Sequence, residues 1–172
     1  MRMTKVGSVE IPTRGALDIE TAFEWLGGET ILRTVSGAGI KQETWRKLRI
    51  TISGSGWIPA GLDAIDSSQQ QVVACGLPVA INCDSSRQAT LPTTRRNDTG
   101  YEPWAWALLP DASVQETPVA IVANVATADA VVGALGYQVL YFPQITAWIS
   151  RPTSSGDQAQ ATYRWELIAE QV

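Results

Sequence analysis

From Trp45 to Ile52 the chain reads WRKLRITI, and its side chains sort by twos. Leu48, Ile50 and Ile52 fall on one side of an extended backbone, and Trp45, Lys47, Arg49 and Thr51 on the other. That period belongs to a half-buried β-strand and to no helix. Ser53-Gly54-Ser55-Gly56 follows and predicts a break, because glycine takes backbone angles that strand residues avoid. Trp57, Pro59, Gly61, Leu62 and Asp63 come next. A large aromatic between glycines and a proline predicts a turn pinned by one buried ring. Leu48, Ile50 and Trp57 are thus expected in the core.

The rest of the chain follows the same habit. Residues 4–11 read as a short strand ending at Pro12. Residues 16–26, ALDIETAFEWL, sort by either period and lean to strand. Gly27-Gly28 predicts a turn, and 29–53 a hairpin with its loop near 37–42. That hairpin gathers Arg33, Arg46, Lys47 and Arg49, either a solvated edge or a surface that meets acidic groups on a neighbour. Residues 70–82 are another apolar strand, with Gly76 or Pro78 marking a bulge or an end. Residues 118–125, PVAIVANV, read as a buried strand, and 126–136 as a turn with a short helix or a weak strand.

The C-terminal part, 137–170, predicts a long β-hairpin: a first arm over 137–150, a polar loop at 151–158, and a last strand on which Tyr163, Trp165, Leu167 and Ala169 share one face. Trp165 joins the expected core. The fold expected is mainly β, a single β-sandwich or β-barrel-like domain over 1–172. It has long hairpins and at most one or two short helices. A chain of 172 residues is long enough for one domain with a real core.

Residues 84–103, DSSRQATLPTTRRNDTGYEP, are polar and turn-rich, and a loop of that length in a compact domain is usually functional or flexible, here either an interface or a surface excursion anchored by a core tryptophan. It carries Arg87, Arg95 and Arg96, with Tyr101 and Trp104 at its downstream end. Arginine beside aromatics is the composition of an interface hot spot. These five, with Arg151 at the tip of the last hairpin, are the candidate interface residues.

Chemistry is hard to place on this chain. It has no histidine and two cysteines, Cys75 and Cys83, so neither an ordinary four-ligand zinc site nor a His-based couple can be assembled. The cysteines read as two buried thiols, with a disulfide left open. No phosphate loop and no nucleophile elbow occurs. No catalytic residue, cofactor or metal is expected, and the chain is not expected to be an enzyme. The net charge of −4 argues against a generic nucleic-acid binder, and no specific nucleic-acid binding is expected. No apolar run is long enough for a membrane span, and the N-terminus lacks a signal peptide's apolar core, which points to assembly in a cytoplasm. Charged residues make up only 17%, low for a soluble surface and compatible with faces buried against other chains.

Residues 31–66, ILRTVSGAGIKQETWRKLRITISGSGWIPAGLDAID, resemble the core of small tail proteins of long-tailed bacteriophages. The marks are the Ser-Gly-Ala-Gly-Ile-Lys-Gln turn, the Trp-Arg-Lys-Leu-Arg strand, and Gly-Ser-Gly-Trp-Ile-Pro with Gly-Leu-Asp after it. The likeness covers roughly residues 30–90. YFPQITAWISRP and YRWELIAEQV are similar to late strands of such virion proteins. The resemblance implies a virion structural protein of the tail tip or baseplate, or of the tube or neck. Such a protein assembles in the host bacterial cytoplasm into a homo-oligomeric ring with other tail proteins as partners. It brings no catalytic residues. The seven tryptophans keep a carbohydrate-binding β-sandwich module in play, and a capsid decoration protein is a further alternative.

Overall fold

The computed structural model describes residues 3–172. The chain is mainly β, and the described residues form three antiparallel sheets and two single-turn 3-10 helices, Thr13–Gly15 and Leu62–Ala64. In chain order the strands begin with β1 (Lys5–Val6), β2 (Val9–Glu10), β3 (Asp18–Arg33), β4 (Gly39–Gly56) and β5 (Gln71–Ala74). Then come β6 (Val79–Asn82), β7 (Gln88–Thr90), β8 (Trp104–Leu108), β9 (Val114–Thr117) and β10 (Val119–Val122). The last five are β11 (Val125–Ala128), β12 (Gly136–Tyr141), β13 (Gln144–Ile149), β14 (Thr153–Asp157) and β15 (Thr162–Gln171). No helix is long and apolar enough to cross a membrane among the described residues.

The chain divides into two compact units, one made of Met1–Lys5 and Val73–Ile145, the other of Val6–Val72 and Thr146–Val172. The first is a small sandwich. A three-stranded sheet, β10-β11-β7, and a four-stranded sheet, β6-β12-β8-β9, share one core of Ala89, Leu91, Ala105, Ala126, Ala128, Val139 and Tyr141. Four alanines in that core keep side-chain bulk small where two backbone layers approach. The run 118–125 forms β10, but Ile121 and Val122 are exposed, contrary to the expected burial. The reason is position: β10 is an edge strand of its sheet. Residues 126–136 start as strand β11 and contain no helix.

The second unit is built on β3, β4 and β15. Trp165, Leu167 and Ala169 stand opposite Gly54, Ile52 and Ile50, while Thr21, Phe23 and Trp25 stand opposite Ile52, Ile50 and Leu48. One face of the sheet therefore collects Leu48, Ile50, Ile52, Trp165, Leu167 and Ala169, all buried. The opposite face is polar, and there Arg49 bridges three strands, pairing with Glu170 on β15 at 2.6 Å and Glu24 on β3 at 3.2 Å.

The sequence Ser53-Gly54-Ser55-Gly56 does not break β4; it is the strand's last turn of pleat. A Cβ on Gly54 would lie 2.6 Å from Trp165 Cζ2, and one on Gly56 would lie 2.3 Å from the Arg14 carbonyl oxygen. The glycines thus make room for an indole and a backbone. The indole is that of Trp165, whose Nε1 donates to the Gly15 carbonyl at 2.7 Å. Trp57, expected to be the buried ring, is 64% exposed. Its backbone N–H donates to Arg14 O at 2.8 Å, and its side chain lies outside a site that Trp165 already fills.

The C-terminal hairpin is also divided differently from expectation. Its turn lies between β14 and β15, after Asp157, not at 151–158. Thr153–Asp157 pairs with Thr162–Glu166, and Ala147–Ile149 with Ala169–Gln171. β12 pairs instead with β6 and β8. Pro143, which has no N–H to give a ladder, separates β12 from β13.

Candidate functional site

The most unusual local feature is the outer half of the β3–β4 hairpin. Residues 16–26 and 29–36 were expected as separate elements, yet β3 runs unbroken through Gly27-Gly28. Register shifts between Gly27 and Glu29, where an extra residue is accommodated on β4. A Cβ on Gly28 would sit 2.4 Å from Trp45 Nε1 and 2.6 Å from Thr44 Oγ1, so this glycine is what lets both side chains crowd the bulge. Thr44 Oγ1 donates to the Gly28 carbonyl at 2.8 Å and fixes it.

The bulge reverses the parity of β4. Inward of it, Leu48, Ile50 and Ile52 lie on the buried face; outward of it, Ile40 stands opposite Leu32 on the other face. The outer ribbon consequently carries Leu26, Trp45, Leu32 and Ile40 on the side where the body of the sheet is polar. Trp25, Ile31 and a charged group occupy the side that continues the core face. There Lys41 Nζ meets Glu29 at 2.6 Å and Glu43 at 3.6 Å, and the Arg46 guanidinium covers Trp25 at 4.0 Å. Every residue from 29 to 46 is exposed.

At the tip the turn is tightly organised. Gly37, at φ 82, donates its N–H to Thr34 O at 2.8 Å, and Thr34 donates to Ala38 O at 2.9 Å. Arg33 Nη1 donates to Gly37 O at 3.2 Å. Val35 is fully exposed at the point. The cations Arg33, Arg46, Lys47 and Arg49, expected to cluster, are spread along the hairpin on both of its faces.

At the other end of β4 lies a cleft of about 280 Å³, lined by Pro59, Leu62, Asp63, Pro152, Tyr163 and Trp165 among others. Arg164 also borders it. No group of three or more Cys, Asp or Glu side chains is placed to hold a metal among the described residues.

The arginine-rich loop was expected to face a partner; Arg96 is instead turned inward, while Arg87, Arg95, Tyr101 and Trp104 are half-buried. The loop is not structureless either, since β7 and a bridge between Arg95 and Pro143 order it. Arg96 is 3% exposed. Its Nη1 donates to the carbonyls of Met3 at 2.6 Å, Cys75 at 3.2 Å and Ala74 at 3.4 Å, and its Nε pairs with Asp98 at 2.8 Å. Tyr101 lies over that guanidinium at 3.3 Å and meets Phe142 edge-on at 5.1 Å. Trp104 stacks at a tilt on Phe142 at 5.5 Å. Arg96, Tyr101 and Trp104 are therefore one internal cluster, because a buried cation needs carbonyls and an aromatic face around it. Arg95 donates to Pro92 O at 2.7 Å and Asn124 Oδ1 at 2.8 Å. Arg87 is half-buried at φ 62 in a turn closed by its N–H on Asp84 O. Arg151 alone of the six is exposed.

Cys75 and Cys83 are free thiols. Burial pushes the Cys75 thiol up to about 12, and burial with the neighbouring Asp84 carboxylate raises Cys83 as well. Neither is poised as a nucleophile. Of the exposed tryptophans, Trp25 and Trp45 lie on opposite faces of the ribbon, Trp148 stands on β13 opposite Glu170, and Trp57 follows the end of β4.

No protein-family model, curated protein or solved structure matches this chain.

Proposed function

We propose that this chain is a bacteriophage virion structural protein, a tail component that assembles into a ring through subunit contacts and works without catalysis. The observation that carries this reading is the β3–β4 ribbon. A two-stranded hairpin standing alone in water is marginal at best. This one nevertheless has a specified register, a fixed bulge, an internally bonded tip and Leu32, Ile40 and Trp45 exposed along one face. Apolar surface of that kind marks a place where another protein is received. β3 also ends its sheet, so a strand of 16 residues leaves one backbone edge open to extension by a neighbour. The resemblance of residues 31–66 to phage tail proteins falls on this same ribbon and on the strand that roots it.

The test is to raise antibody against the purified chain and probe purified tailed particles by immunogold electron microscopy. The expected result is label on tails, and loss of tails from particles made with the ribbon residues 27–46 replaced by a short turn. Particles that carry no label, or that build normal tails with the shortened chain, would exclude the reading.

A further inference from the structure

The ribbon tip and the Pro59–Trp165 cleft lie at the two ends of one strand. β4 has 18 residues, and at about 3.3 Å per residue its ends stand roughly 55 Å apart. A copy cannot place its own tip in its own cleft, so a tip seated in the cleft comes from another copy.

The two features suit each other chemically. The tip offers one apolar side chain, Val35, held away from the rest of its own chain by a turn whose backbone is already hydrogen-bonded. A knob organised in advance loses little conformational entropy when it docks. The cleft offers a mainly apolar floor in the Trp165 and Tyr163 rings and the Pro59, Leu62 and Pro152 side chains, with one carboxylate, Asp63. Its volume of about 280 Å³ is on the scale of a turn side chain with its adjoining backbone. The tip carries one cation, Arg33, two residues before Val35. Arg164, on the cleft border, supplies donors for the carbonyls that any tight turn presents.

We propose that Val35 at the ribbon tip of one copy seats in the Pro59–Trp165 cleft of the next, with Arg33 on Asp63. This rests on the assembly reading above and names the surface that receives the arm. The two patches differ, so the contact is head-to-tail. It repeats from copy to copy, closing a ring if the rotation closes and running as a filament if it does not.

The experiment mixes two chains in a Cys83→Ser background, one carrying Val35→Cys and the other Pro59→Cys, and oxidises them at high concentration. The expected product is a 35–59 heterodimer. A 35–35 product, or none, would overturn the proposal, the first in favour of arm-to-arm pairing. In sedimentation, Arg33→Asp and Asp63→Arg should each weaken self-association by roughly tenfold, and the two together should restore it. Two weakened singles without rescue would overturn it as well. A ribbon deletion that blocks tail formation, with no 35–59 product, removes the cleft assignment and leaves the assembly reading standing. A deletion that leaves tails intact removes both.

Discussion

Trp165 and Gly54 face each other across β15 and β4, and the indole occupies the space that a side chain on Gly54 would need. The glycine removes its own side chain from the core, and the neighbouring ring restores the lost contact. The ring is tied by its Nε1 to Gly15 O, so the pair also fixes the first 3-10 turn against the sheet. Trp165→Ala should therefore destabilise the fold by about 3–5 kcal/mol, the cost of deleting a buried aromatic. Trp57→Ala should shift stability by less than about 0.5 kcal/mol, since its side chain is exposed. Urea unfolding of both variants checks this, and equal losses would show that the two rings share the core.

The same geometry predicts the effect of filling Gly54. In Gly54→Ala the new methyl meets the Trp165 ring at a distance no carbon pair tolerates, and the Asp18 carbonyl at 3.1 Å blocks the other way out. Overpacking of this kind costs about 1–3 kcal/mol. The double variant Gly54→Ala with Trp165→Leu should recover part of that loss, because the smaller side chain yields. A midpoint for the double variant below both singles would show that the clash is not with the ring.

How much of this was legible beforehand depends on the range over which each feature acts. The alternation of Leu48, Ile50 and Ile52, and of Trp165, Leu167 and Ala169, is local, and both runs form strands buried on the side the pattern indicates. The glycine–tryptophan pairing joins residues far apart in sequence. Nothing near Gly54 distinguishes Trp57 from Trp165 as the ring it makes room for. The bulge at Thr44-Trp45 turns parity over, so a count by twos from Leu48 places Ile40 on the wrong face. The burial of Arg96 was illegible for another reason. Arginine beside tyrosine and tryptophan is equally the composition of an interface and of a buried cation wrapped in carbonyls. Only the placement of Met3, Ala74 and Cys75 around Arg96 separates them.

That buried cation gives a prediction of its own. Arg96→Met removes a charge and takes a donor away from the carbonyls of Ala74 and Cys75, with Asp98 losing its ion pair, while the Met3 carbonyl keeps the Tyr101 hydroxyl as donor. Depriving a buried acceptor of its donor costs roughly 1–3 kcal/mol, and thermal unfolding should show a loss of at least about 2 kcal/mol. Asp98 adds a pH signature. Burial pushes its carboxyl up, but the Arg96 hydrogen bond, its own backbone and nearby charges outweigh this and hold it below the ordinary value. A carboxyl lowered by folding contributes stability that is present above its unfolded pKa and disappears as pH falls through the folded one. The wild type should lose stability below about pH 4 more steeply than Asp98→Asn. Parallel acid limbs would show that the pair does not couple to folding.

The two thiols should differ in reactivity. Cys75 is fully buried and its thiol is pushed up to about 12, so essentially no thiolate exists at pH 8. Cys83 is half-buried, its thiol raised by burial and by the Asp84 carboxylate, and its partial exposure leaves it open to a reagent. An aromatic disulfide reagent at pH 8 should titrate one thiol in the native chain, slowly, and two after unfolding in guanidinium. Fast reaction of both would mean that the strand end carrying Cys75 opens readily.

The ribbon makes the sharpest dynamic prediction. Within the body, β4 is paired on both sides, by β3 and β15, up to Arg49. Beyond the bulge it has β3 alone, and both faces meet water. Amide hydrogen exchange in the dispersed chain should be slow for Ile50 and Ile52 and fast for Thr30 to Gln42, because opening a two-stranded end exposes little buried apolar surface. Docking on a neighbour changes this locally: residues 30–42 should become protected in the assembled form while the body stays as it was. Leu32→Ser with Ile40→Ser separates the two roles. Those side chains are exposed in the single chain, so its melting midpoint should hold, while assembly measured by sedimentation should fail. A midpoint that drops with assembly intact would instead mean that the ribbon's apolar face packs within its own chain.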